Sequence, residues 1–320
     1  MKGRLTLLIS IVVPCFNEGK NIFNFHAELE KVLHSYVEYE LILVNDGSKD
    51  DTQLKMQDLA QSASNVYYIS FSRNFGKEAA MLAGLQYAKG EAVIIMDGDL
   101  QHPPALIPQM IEKYEEGYEQ VIAKRNRKGD SFIRSKISSL YYVLINRLVD
   151  VELQDGVGDF RLLSRRVVDS LLLLKEYNRF SKGLFSWVGF KETVIEYENV
   201  TRDEGSSSWT LPKLLNYGID GLISFNNKPL RASIYMGLGL TSLSLIYILF
   251  TLIQITFKGI DVPGYFTTIS AVLIVGGVQL IFLGVIGEYI GRIFYETKSR
   301  PHYLISETNI ENANIKEYSK

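Results

Sequence analysis

The chain has a single cysteine, Cys15, among its 320 residues. One cysteine excludes an intramolecular disulfide and the usual zinc clusters, and it suits a reducing compartment. An excess of charge of one sign is also missing, since the formal net charge is −2 at pH 7. The total charge therefore gives no support for nucleic acid as a partner.

Three sequence signals that would assign a class are missing as well. No G-x-G-x-x-G follows the first apolar run and no G-x-x-x-x-G-K-[ST] occurs, so neither a dinucleotide-binding Rossmann site nor a P-loop is indicated. The amino terminus carries Lys2 and Arg4 before an apolar run but has no small-residue cleavage site. That run therefore favours a buried strand over a secretory signal.

Short apolar runs alternate with polar loops and helical patterns between residues 7 and 125. Each unit of strand, loop and helix takes about thirty residues. The alternation predicts an α/β fold with a mostly parallel sheet and right-handed crossovers. The predicted strands lie at 7–13, 39–44, 66–71, 92–96 and 120–124.

A polar cluster follows each of the first four predicted strands. The clusters contain Asn17 and Glu18, then Asp46, then Arg73, and finally residues 97–101. Ligands of parallel α/β sheets bind outside the carboxyl ends of the strands, so we expect one site at that edge. Acidic groups gathered there would repel one another in an empty site, and a nucleotide with a metal ion is a reasonable filling.

The cluster D-G-D at 97–99 directly follows a buried strand. Two ionised aspartates this close need a cation or hydrogen-bond donors to neutralise them. Mg²⁺ characteristically combines one or two carboxylates with the phosphates of a bound substrate. A surface turn is the alternative interpretation, because Asp-Gly is also common turn chemistry.

A cluster of cationic residues and two predicted amphipathic helices lie in the chain after the fifth predicted strand. Arg125 opens the cluster R-N-R-K, and apolar residues then recur at helical spacing over 131–149 with Arg134 at the margin. A second amphipathic helix is predicted near 211–225, directly before an apolar span. Such a helix either packs on the core of its own domain or lies in the membrane interface, and for the second helix the interface is favoured.

Two polar segments lie between these helices. The apolar run at 157–164 contains Asp159, and a Gly/Ser-rich loop at 202–209 begins with Arg202. Asp159 either caps a turn or belongs to a site, and the loop either closes over a ligand or is a plain linker.

Two long apolar spans follow. The span at 232–257 has about 26 residues without a charge, which as a helix is about 39 Å long and exceeds the ~30 Å hydrocarbon core of a bilayer. The second span, at 265–290, follows a tight connection, so a two-helix transmembrane hairpin is predicted. Cationic residues flank the hairpin on both outer sides, whereas Lys258 in the connection is offset by Asp261. This asymmetry predicts a multi-pass plasma-membrane protein with both chain ends in the cytoplasm.

The features divide the chain into three predicted parts. Residues 1–228 form a cytoplasmic α/β domain with the amphipathic helices, residues 229–295 form the hairpin, and residues 296–320 form a polar tail, of which we expect residues 306–320 to be mobile. Glycines give the second span a small-residue face for close helix packing, which suggests a homo-oligomer, a dimer or tetramer. They are Gly276, Gly277, Gly284, Gly287 and Gly291.

Six motifs occur in order along the chain. They are V-P-C-F-N-E at 13–18, V-N-D-G-S at 44–48, R-N-F-G-K at 73–77, D-G-D-L-Q-H-P-P at 97–104, G-D-F-R at 158–161 and R-D-E-G-S-S-S-W at 202–209. Together with the hairpin, they resemble the inverting GT-A-fold glycosyltransferases of family 2, in particular the polyprenyl-phosphate glycosyltransferases. The likeness is strongest to bacterial bactoprenol (undecaprenyl-phosphate) glucosyltransferases, and dolichyl-phosphate mannose synthases share the catalytic half. Asn45 departs from the family, which often has a second aspartate there, and the absence of Q-x-x-R-W disfavours the processive synthases.

The resemblance implies two sets of residues for the donor. The residues that would hold the uracil and ribose of a UDP-sugar are Pro14, Asn17, Glu18 and Asp46. The residues that would carry Mg²⁺ or Mn²⁺ against the diphosphate are Asp97, Asp99 and Gln101.

The resemblance also implies residues for the acceptor and the chemistry. Candidates for phosphate binding are Arg125, Arg134 and Arg202, because the fork of arginine matches phosphate geometry. Asp159 would orient the acceptor or the sugar, or act as a base. The implied catalytic residues are thus Asp99, Asp159 and Arg125.

The reaction implied by the resemblance is a metal-dependent, inverting hexosyl transfer. Glucose would pass from UDP-glucose to undecaprenyl phosphate at the cytoplasmic membrane face, giving a lipid-linked sugar donor for cell-envelope glycan modification. Two alternatives stay open from the sequence. One is the same reaction with GDP-mannose or UDP-GlcNAc as donor, and the other is a catalytically inactive, membrane-anchored homologue that binds a sugar nucleotide.

Overall fold

The computed structural model describes residues 7–34, 36–126, 157–197, 228–258 and 264–311. Within these ranges the elements in chain order are β1 (Leu8–Cys15), α1 (Ile22–Leu33), β2 (Glu38–Asn45), α2 (Thr52–Ser62), β3 (Val66–Phe71), α3 (Lys77–Tyr87), β4 (Ala92–Ile95), a 3₁₀ turn (Pro104–Leu106), α4 (Ile107–Glu115), β5 (Gln120–Arg125), β6 (Val157–Ser164), α5 (Arg165–Leu173), α6 (Ser181–Trp187), β7 (Glu192–Tyr197), α7 (Lys228–Lys258), α8 (Tyr265–Lys298) and β8 (Ile305–Thr308). The five strands predicted before residue 125 are confirmed.

Helices cover both faces of the sheet, which explains why the sequence of β1 is almost wholly apolar. Ile9, Ile11 and Val13 pack in one core with residues of α1, α2 and α4. Val12 packs in the opposite core with residues of α3 and α5. Successive side chains of a strand point to opposite faces, so a strand buried on both faces is a continuous apolar run.

The strands of the described chain form one sheet in the order β7-β5-β6-β4-β1-β2-β3-β8. The predicted α/β fold is confirmed, and the sheet is mixed, with more parallel than antiparallel pairs. The first four strands are parallel, as are β5 and β7. β6 lies antiparallel between β4 and β5, and β8 is antiparallel to β3.

The reversed direction of β6 matters for the site. Ile95 of β4 pairs with Arg161 of β6. Continuing this antiparallel register by two residues places Asp159 opposite Asp97. A residue 62 positions later in the sequence thus arrives beside the D-G-D cluster, because β6 enters the sheet next to β4.

Two long helices follow where the hairpin is predicted. α7 has 31 residues and α8 has 34, and α8 extends past the predicted limit of 290 to Lys298. Of the helices in the described ranges, one stretch, Ile274–Lys298, is long and apolar enough to cross a membrane. Both predicted crossings, at 232–257 and 265–290, stay predictions.

The chain after α8 returns to the sheet. β8 pairs with β3 at the edge of the sheet, and the ring of Tyr303 stacks on Phe71 with 4.8 Å between centroids. Glu307 accepts hydrogen bonds from Tyr68 and from two glutamines of α2. The expected mobility of the polar tail is therefore wrong for residues 306–308, which side-chain hydrogen bonds hold in a strand.

Several predictions lie outside the described residues. They concern the amphipathic helices near 131–149 and 211–225, the loop at 202–209, and the side chains of Arg134 and Arg202.

Candidate active site

The carboxyl ends of β1, β2 and β3 lie level at one edge of the sheet. Cys15 pairs with Asn45, and Asn45 pairs with Ser70. The loops that follow these strands therefore begin side by side, as the parallel fold predicts. Pro14 lies one residue before the end of β1 and is half-buried at this edge.

The loops after β1 and β2 are joined by hydrogen bonds. The N–H of Asn17 donates to Ser48 Oγ at 2.9 Å, and Asn17 Oδ1 accepts from the N–H of Lys49 at 2.9 Å. Asn17 has a φ of 57°, a left-handed conformation that asparagine tolerates better than most residues. The N–H of Glu18 donates to Thr52 Oγ1 at 3.0 Å. Asn17 and Glu18 thus lie on a braced loop at the predicted nucleoside end of the site.

Asp46 fastens the loop after β2 to the loop after β3. It is 4% exposed, and its carboxylate accepts from the N–H of Phe75 at 2.6 Å and from the N–H of Gly76 at 3.0 Å. Burial raises the pKa of Asp46, and these N–H donors oppose the rise. A Cβ on Gly47, whose φ is +65°, would lie 2.3 Å from the carbonyl carbon of Arg73. Only glycine lets these two loops approach so closely.

Lys77 joins two acids at the centre of the edge. It is the first residue of α3, and its Nζ lies 2.6 Å from Asp97 Oδ1 and 2.7 Å from Asp159 Oδ2. Burial alone would lower the pKa of Lys77, but the two carboxylates outweigh burial and raise it. Burial raises the pKa of Asp159, and Lys77 more than offsets this, so the pKa of Asp159 is below its ordinary value. Asp159 is therefore ionised beside a protonated lysine.

The D-G-D loop is folded back on itself. The N–H of Gln101 donates to Asp99 Oδ1 at 3.2 Å, and Leu100 between them has a φ of 58°. A left-handed leucine is unusual and is held here by the surrounding contacts. A Cβ on Gly98 would lie 3.3 Å from Val13 Cγ1, so the glycine lets the loop lie close against the end of β1.

The predicted metal ligands are Asp97, Asp99 and Gln101. In the described part of the chain, no group of three or more His, Cys, Asp or Glu side chains could hold a metal ion. The predicted set supplies two carboxylates and one amide, all oxygen ligands. It suits Mg²⁺ or Mn²⁺ in a site where substrate phosphates and water supply the remaining ligands.

An aromatic wall borders the acids. His102 Nδ1 accepts from the N–H of Asp97 at 3.4 Å, and its ring stacks on Phe160 with 5.1 Å between centroids. Burial lowers the pKa of His102. Tyr197, opposite Arg125 in the β5–β7 register, lies edge-on to His102. Burial raises the pKa of Tyr197 to about 12, with Arg125 opposing the rise and Asp97 adding to it.

The structure brings most of the predicted site residues to one edge of the sheet. Asp159 meets the loop of Asp97, Asp99 and Gln101, and Arg125 ends the strand two places away in the sheet. Lys77 and His102 were not predicted as site residues, although each belongs to one of the six sequence motifs. The signal that could have found Lys77 is its position: it follows a polar loop at the same sheet edge as the acids.

Two family profiles match the chain. Residues 10–172 match the family described as Glycosyl transferase family 2. Residues 228–293 match the family described as GtrB C-terminal hairpin. The chain belongs to glycosyl transferase family 2. The family and the mixed, mostly parallel sheet confirm the predicted GT-A fold.

This family 2 glycosyltransferase has relatives of nearly its own length. It is 59% identical over 311 residues to CsbB of Bacillus subtilis (strain 168), whose assignment as a glycosyltransferase is provisional, with 97% of this chain and 94% of that protein covered. It is 45% identical over 300 residues to the bactoprenol glucosyl transferase of Shigella phage SfX, with 93% and 98% covered. Glucosyl-3-phosphoglycerate synthase from Mycobacterium tuberculosis, solved with Mn²⁺, UDP-glucose and phosphoglyceric acid, is 22% identical with a TM-score of 0.45, and 68% and 79% are covered. That structural likeness is too distant to inform the chemistry.

Proposed function

We propose that this enzyme transfers a hexose, glucose, from UDP-glucose to the phosphate of a polyprenyl phosphate at the cytoplasmic membrane surface, with inversion at the anomeric carbon. One observation carries the proposal. The chain is 45% identical to a bactoprenol glucosyl transferase over 93% of its length, which takes in both the sheet and the hairpin.

The acidic edge of the sheet supports a diphosphate-bearing donor. Asp97, Asp99 and Gln101 would hold Mg²⁺ or Mn²⁺ there, and a bound ion would neutralise the charge that develops on the leaving diphosphate. Pro14, Asn17 and Glu18 lie beside this loop at the ends of the neighbouring strands and would face the nucleoside. The donor would thus lie along the edge from β1 towards β4.

The acceptor needs little help from a base. A phosphate monoester has a second pKa near 6, so it is largely dianionic at neutral pH. Its oxygen forms a bond to the anomeric carbon while the bond from that carbon to the diphosphate breaks, and UDP leaves with the electron pair. Attack in line with the leaving group converts an α-linked donor into a β-linked lipid phosphate sugar.

Positive charge at the centre of the edge suits two anionic reactants. Lys77 lies between Asp97 and Asp159, and its ammonium is the cation that the structure places nearest to both acids. We assign it to the phosphates of the donor, with Asp159 orienting its ammonium. Arg125, at the end of β5, is our candidate for the phosphate of the acceptor.

A hairpin in the membrane would bring the enzyme to its lipid acceptor. Moving a polyprenyl chain into water costs about 0.8 kcal/mol for each CH₂ exposed, so the lipid stays in the bilayer. The enzyme must therefore bring its sheet edge to the headgroup plane. The long apolar α8 supports such an attachment.

The test is purified protein with undecaprenyl phosphate, Mg²⁺ and a panel of UDP-glucose, UDP-GlcNAc and GDP-mannose. Transfer of glucose from UDP-glucose is expected to be fastest. Asp99→Ala is expected to lower turnover by at least about 10²-fold with an unchanged melting temperature, because the leaving group loses its electrostatic stabilisation. Asp58→Ala is the matched control, since Asp58 is exposed on α2 away from the site.

Two results would overturn the proposal in different ways. Faster transfer from one of the other donors would show that this donor, and not UDP-glucose, is the preferred substrate. Turnover that is undiminished in Asp99→Ala, or undiminished by a chelator, would remove the metal site.

A further inference from the structure

His102 follows the predicted metal ligand Gln101 and has a well-defined place in the site. Its ring stacks on Phe160 of β6 with 5.1 Å between centroids, and it lies edge-on to Tyr197 of β7 at 6.3 Å. Phe160 is fully buried. The imidazole is thus held between the D-G-D loop and the sheet, so its two nitrogens keep separate surroundings.

The hydrogen bond at Nδ1 shows which nitrogen of His102 carries the proton. Nδ1 accepts from the N–H of Asp97 at 3.4 Å, and the Asp97 carboxylate, at 3.8 Å from the same nitrogen, is too far away to accept a proton from it. A neutral imidazole that accepts at Nδ1 carries its proton on Nε2. This Nε2–H has no hydrogen-bond partner among the residues that the structure describes.

The glycine at 158 leaves space beside this donor. A Cβ built on Gly158 would lie 3.7 Å from His102 Nε2, so Nε2 borders the space that a side chain at this position would fill. Gly158 is the second residue of β6, and β6 begins at the edge that carries the site because it runs antiparallel to β4. Nε2 therefore lies beside the start of β6, at the same edge as Asp97 and Asp159.

Tyr197 adds a second donor at this place. It pairs with Arg125 in the β5–β7 register, and each is the last residue of its strand. Burial raises the pKa of Tyr197 to about 12, so the hydroxyl keeps its proton at neutral pH. In the described ranges of the chain this hydroxyl has no hydrogen-bond partner, although the residue is only 8% exposed.

We propose that His102 and Tyr197 bind the phosphate of the acceptor together with Arg125, His102 through its Nε2–H and Tyr197 through its hydroxyl. This inference rests on the transfer reaction proposed above and assigns two further residues to its acceptor. A phosphate dianion has several oxygens that accept hydrogen bonds. The guanidinium supplies charge, and the two neutral donors supply further hydrogen bonds in fixed positions.

The side of the site on which these groups lie suits the acceptor. The residues predicted to hold the donor follow β1, β2 and β4, whereas His102 packs on β6 and β7, and Arg125 ends β5. In the sheet, β4 separates β1 and β2 from β5, β6 and β7. Attack in line with the leaving group brings the acceptor in from the side opposite the diphosphate. The phosphate of the acceptor is therefore expected on the side of β5 and β7.

Asparagine and glutamine separate the two nitrogens of His102. In His102→Asn the side-chain oxygen takes the place of Nδ1 and can accept from the N–H of Asp97, but the donor at Nε2 is lost. In His102→Gln the amide NH₂ reaches the position of Nε2, and the acceptor at Nδ1 is lost. Tyr197→Phe removes the hydroxyl and keeps the ring.

The probe is farnesyl phosphate, with farnesol as the ligand that lacks the phosphate. Binding of each to the full-length protein is measured by calorimetry in the presence of UDP and Mg²⁺. Steady-state transfer gives the KM values of undecaprenyl phosphate and UDP-glucose, and calorimetry also gives the Kd of UDP. The matched controls are His34→Asn, on a side chain that is 82% exposed after α1, and Tyr67→Phe, near the start of β3 at the opposite edge of the sheet.

The expected result is a loss of phosphate binding that the glutamine variant escapes. His102→Asn and Tyr197→Phe should each weaken the Kd of farnesyl phosphate, and raise the KM of undecaprenyl phosphate, by roughly 10-fold to 10²-fold, the usual effect of a lost hydrogen bond to a charged group. His102→Gln should stay within about threefold of wild type, because it keeps the donor. Binding of farnesol and of UDP, and the KM of UDP-glucose, should not change.

Other outcomes overturn the inference. The reverse ranking, with His102→Asn like wild type and His102→Gln impaired, would mean that His102 only braces the D-G-D loop. Losses in the Kd of UDP or the KM of UDP-glucose would place the donors on the sugar nucleotide. If the His102 variants do not fold, Tyr197→Phe tests the same phosphate contact. A wild type that binds farnesyl phosphate better than farnesol but transfers no sugar would count against the proposed function and not against this site.

Discussion

At the scale of single residues, the site is organised around one cation shared by two acids. Asp97 follows β4 and Asp159 lies in β6, and the two acids would repel each other at the edge of the sheet without a partner. The Nζ of Lys77 contacts both. The lysine therefore offsets the repulsion between the two acids within the fold.

Removing this charge tests the residue directly. Lys77→Met keeps most of the apolar stem and removes the ammonium, and we expect kcat with UDP-glucose to fall by about 10²–10³-fold, the usual loss when a preorganised electrostatic contact is removed. The measurement is steady-state transfer to undecaprenyl phosphate, with Lys31→Met as control because Lys31 pairs with Glu28 on the exposed surface of α1. Equal rates for the two variants would exclude Lys77 from the reaction.

The sequence predicted residue types at the site better than residue orientations. The order of strands and polar loops was enough to place Asp46, Asp97 and Asp99 at one edge. The sequence pattern could not predict that the Asp46 carboxylate accepts from the N–H groups of Phe75 and Gly76. These contacts join two loops about 30 residues apart in the sequence. Lys77 looked like an ordinary solvated lysine at the start of a helix, since its acidic partners are brought to it only by the fold.

At the scale of elements, the long, periodic segments were predictable and β8 was not. Strands buried on both faces and helices with one apolar face have patterns that a sequence displays. β8 has four residues, three of them polar, and owes its place to side chains of α2 and β3. A strand of that length and polarity has no periodicity to detect.

The contacts of Glu307 make the docking of β8 depend on pH. Hydrogen bonds, first from the hydroxyl of Tyr68 and then from Gln57 and Gln53, lower the pKa of Glu307. A carboxyl group whose pKa is lower in the folded state stabilises the fold fully at pH values above its unfolded-state pKa of about 4.3. This contribution is lost as the pH falls through the folded-state pKa. Protection of the β8 amides from hydrogen exchange should therefore weaken as the pH falls below about 5.

Glu307→Gln identifies the group responsible. The amide can still accept from Tyr68 but cannot titrate, so the variant should show weaker protection than wild type at neutral pH and no further weakening of this origin on acidification. Exchange is measured by mass spectrometry with correction for intrinsic rates, and Glu311→Gln is the control at an exposed position. A pH profile in Glu307→Gln that matches wild type would assign the effect to another group.

At the scale of the whole molecule, the sheet is attached to α8 at two places. The N–H of Tyr177, between α5 and α6, donates to Glu296 Oε1 at 2.8 Å, and the ring of Tyr177 stacks on Tyr295. Beyond the end of α8, Tyr303 and β8 join the sheet beside β3. The domain is thus held close to the last turns of the helix that is apolar enough to cross a membrane.

This closed path restricts how the chain can cross a bilayer. β7 precedes the hairpin and β8 follows it, and both belong to one sheet, so both lie on the same side of the membrane. The chain between them must cross an even number of times. If α8 crosses, a second crossing is required, and the uncharged run at 232–257 in α7 is the segment with the length for it.

The last prediction tests this topology with cysteines. The native thiol of Cys15 is buried, and burial raises its pKa, so it is a poor nucleophile. The native cysteine should therefore react little with a maleimide. In cells bounded by one membrane, a membrane-impermeant maleimide should label Asp261→Cys in the connection from outside. It should label Ser299→Cys and Asp58→Cys only after the membrane is opened, because these positions follow α8 and lie on α2. External labelling of Ser299→Cys would place the sheet outside the cell, away from UDP-sugars. Labelling of Asp261→Cys only after opening would leave the hairpin without a crossing, with the apolar helices lying on the membrane surface.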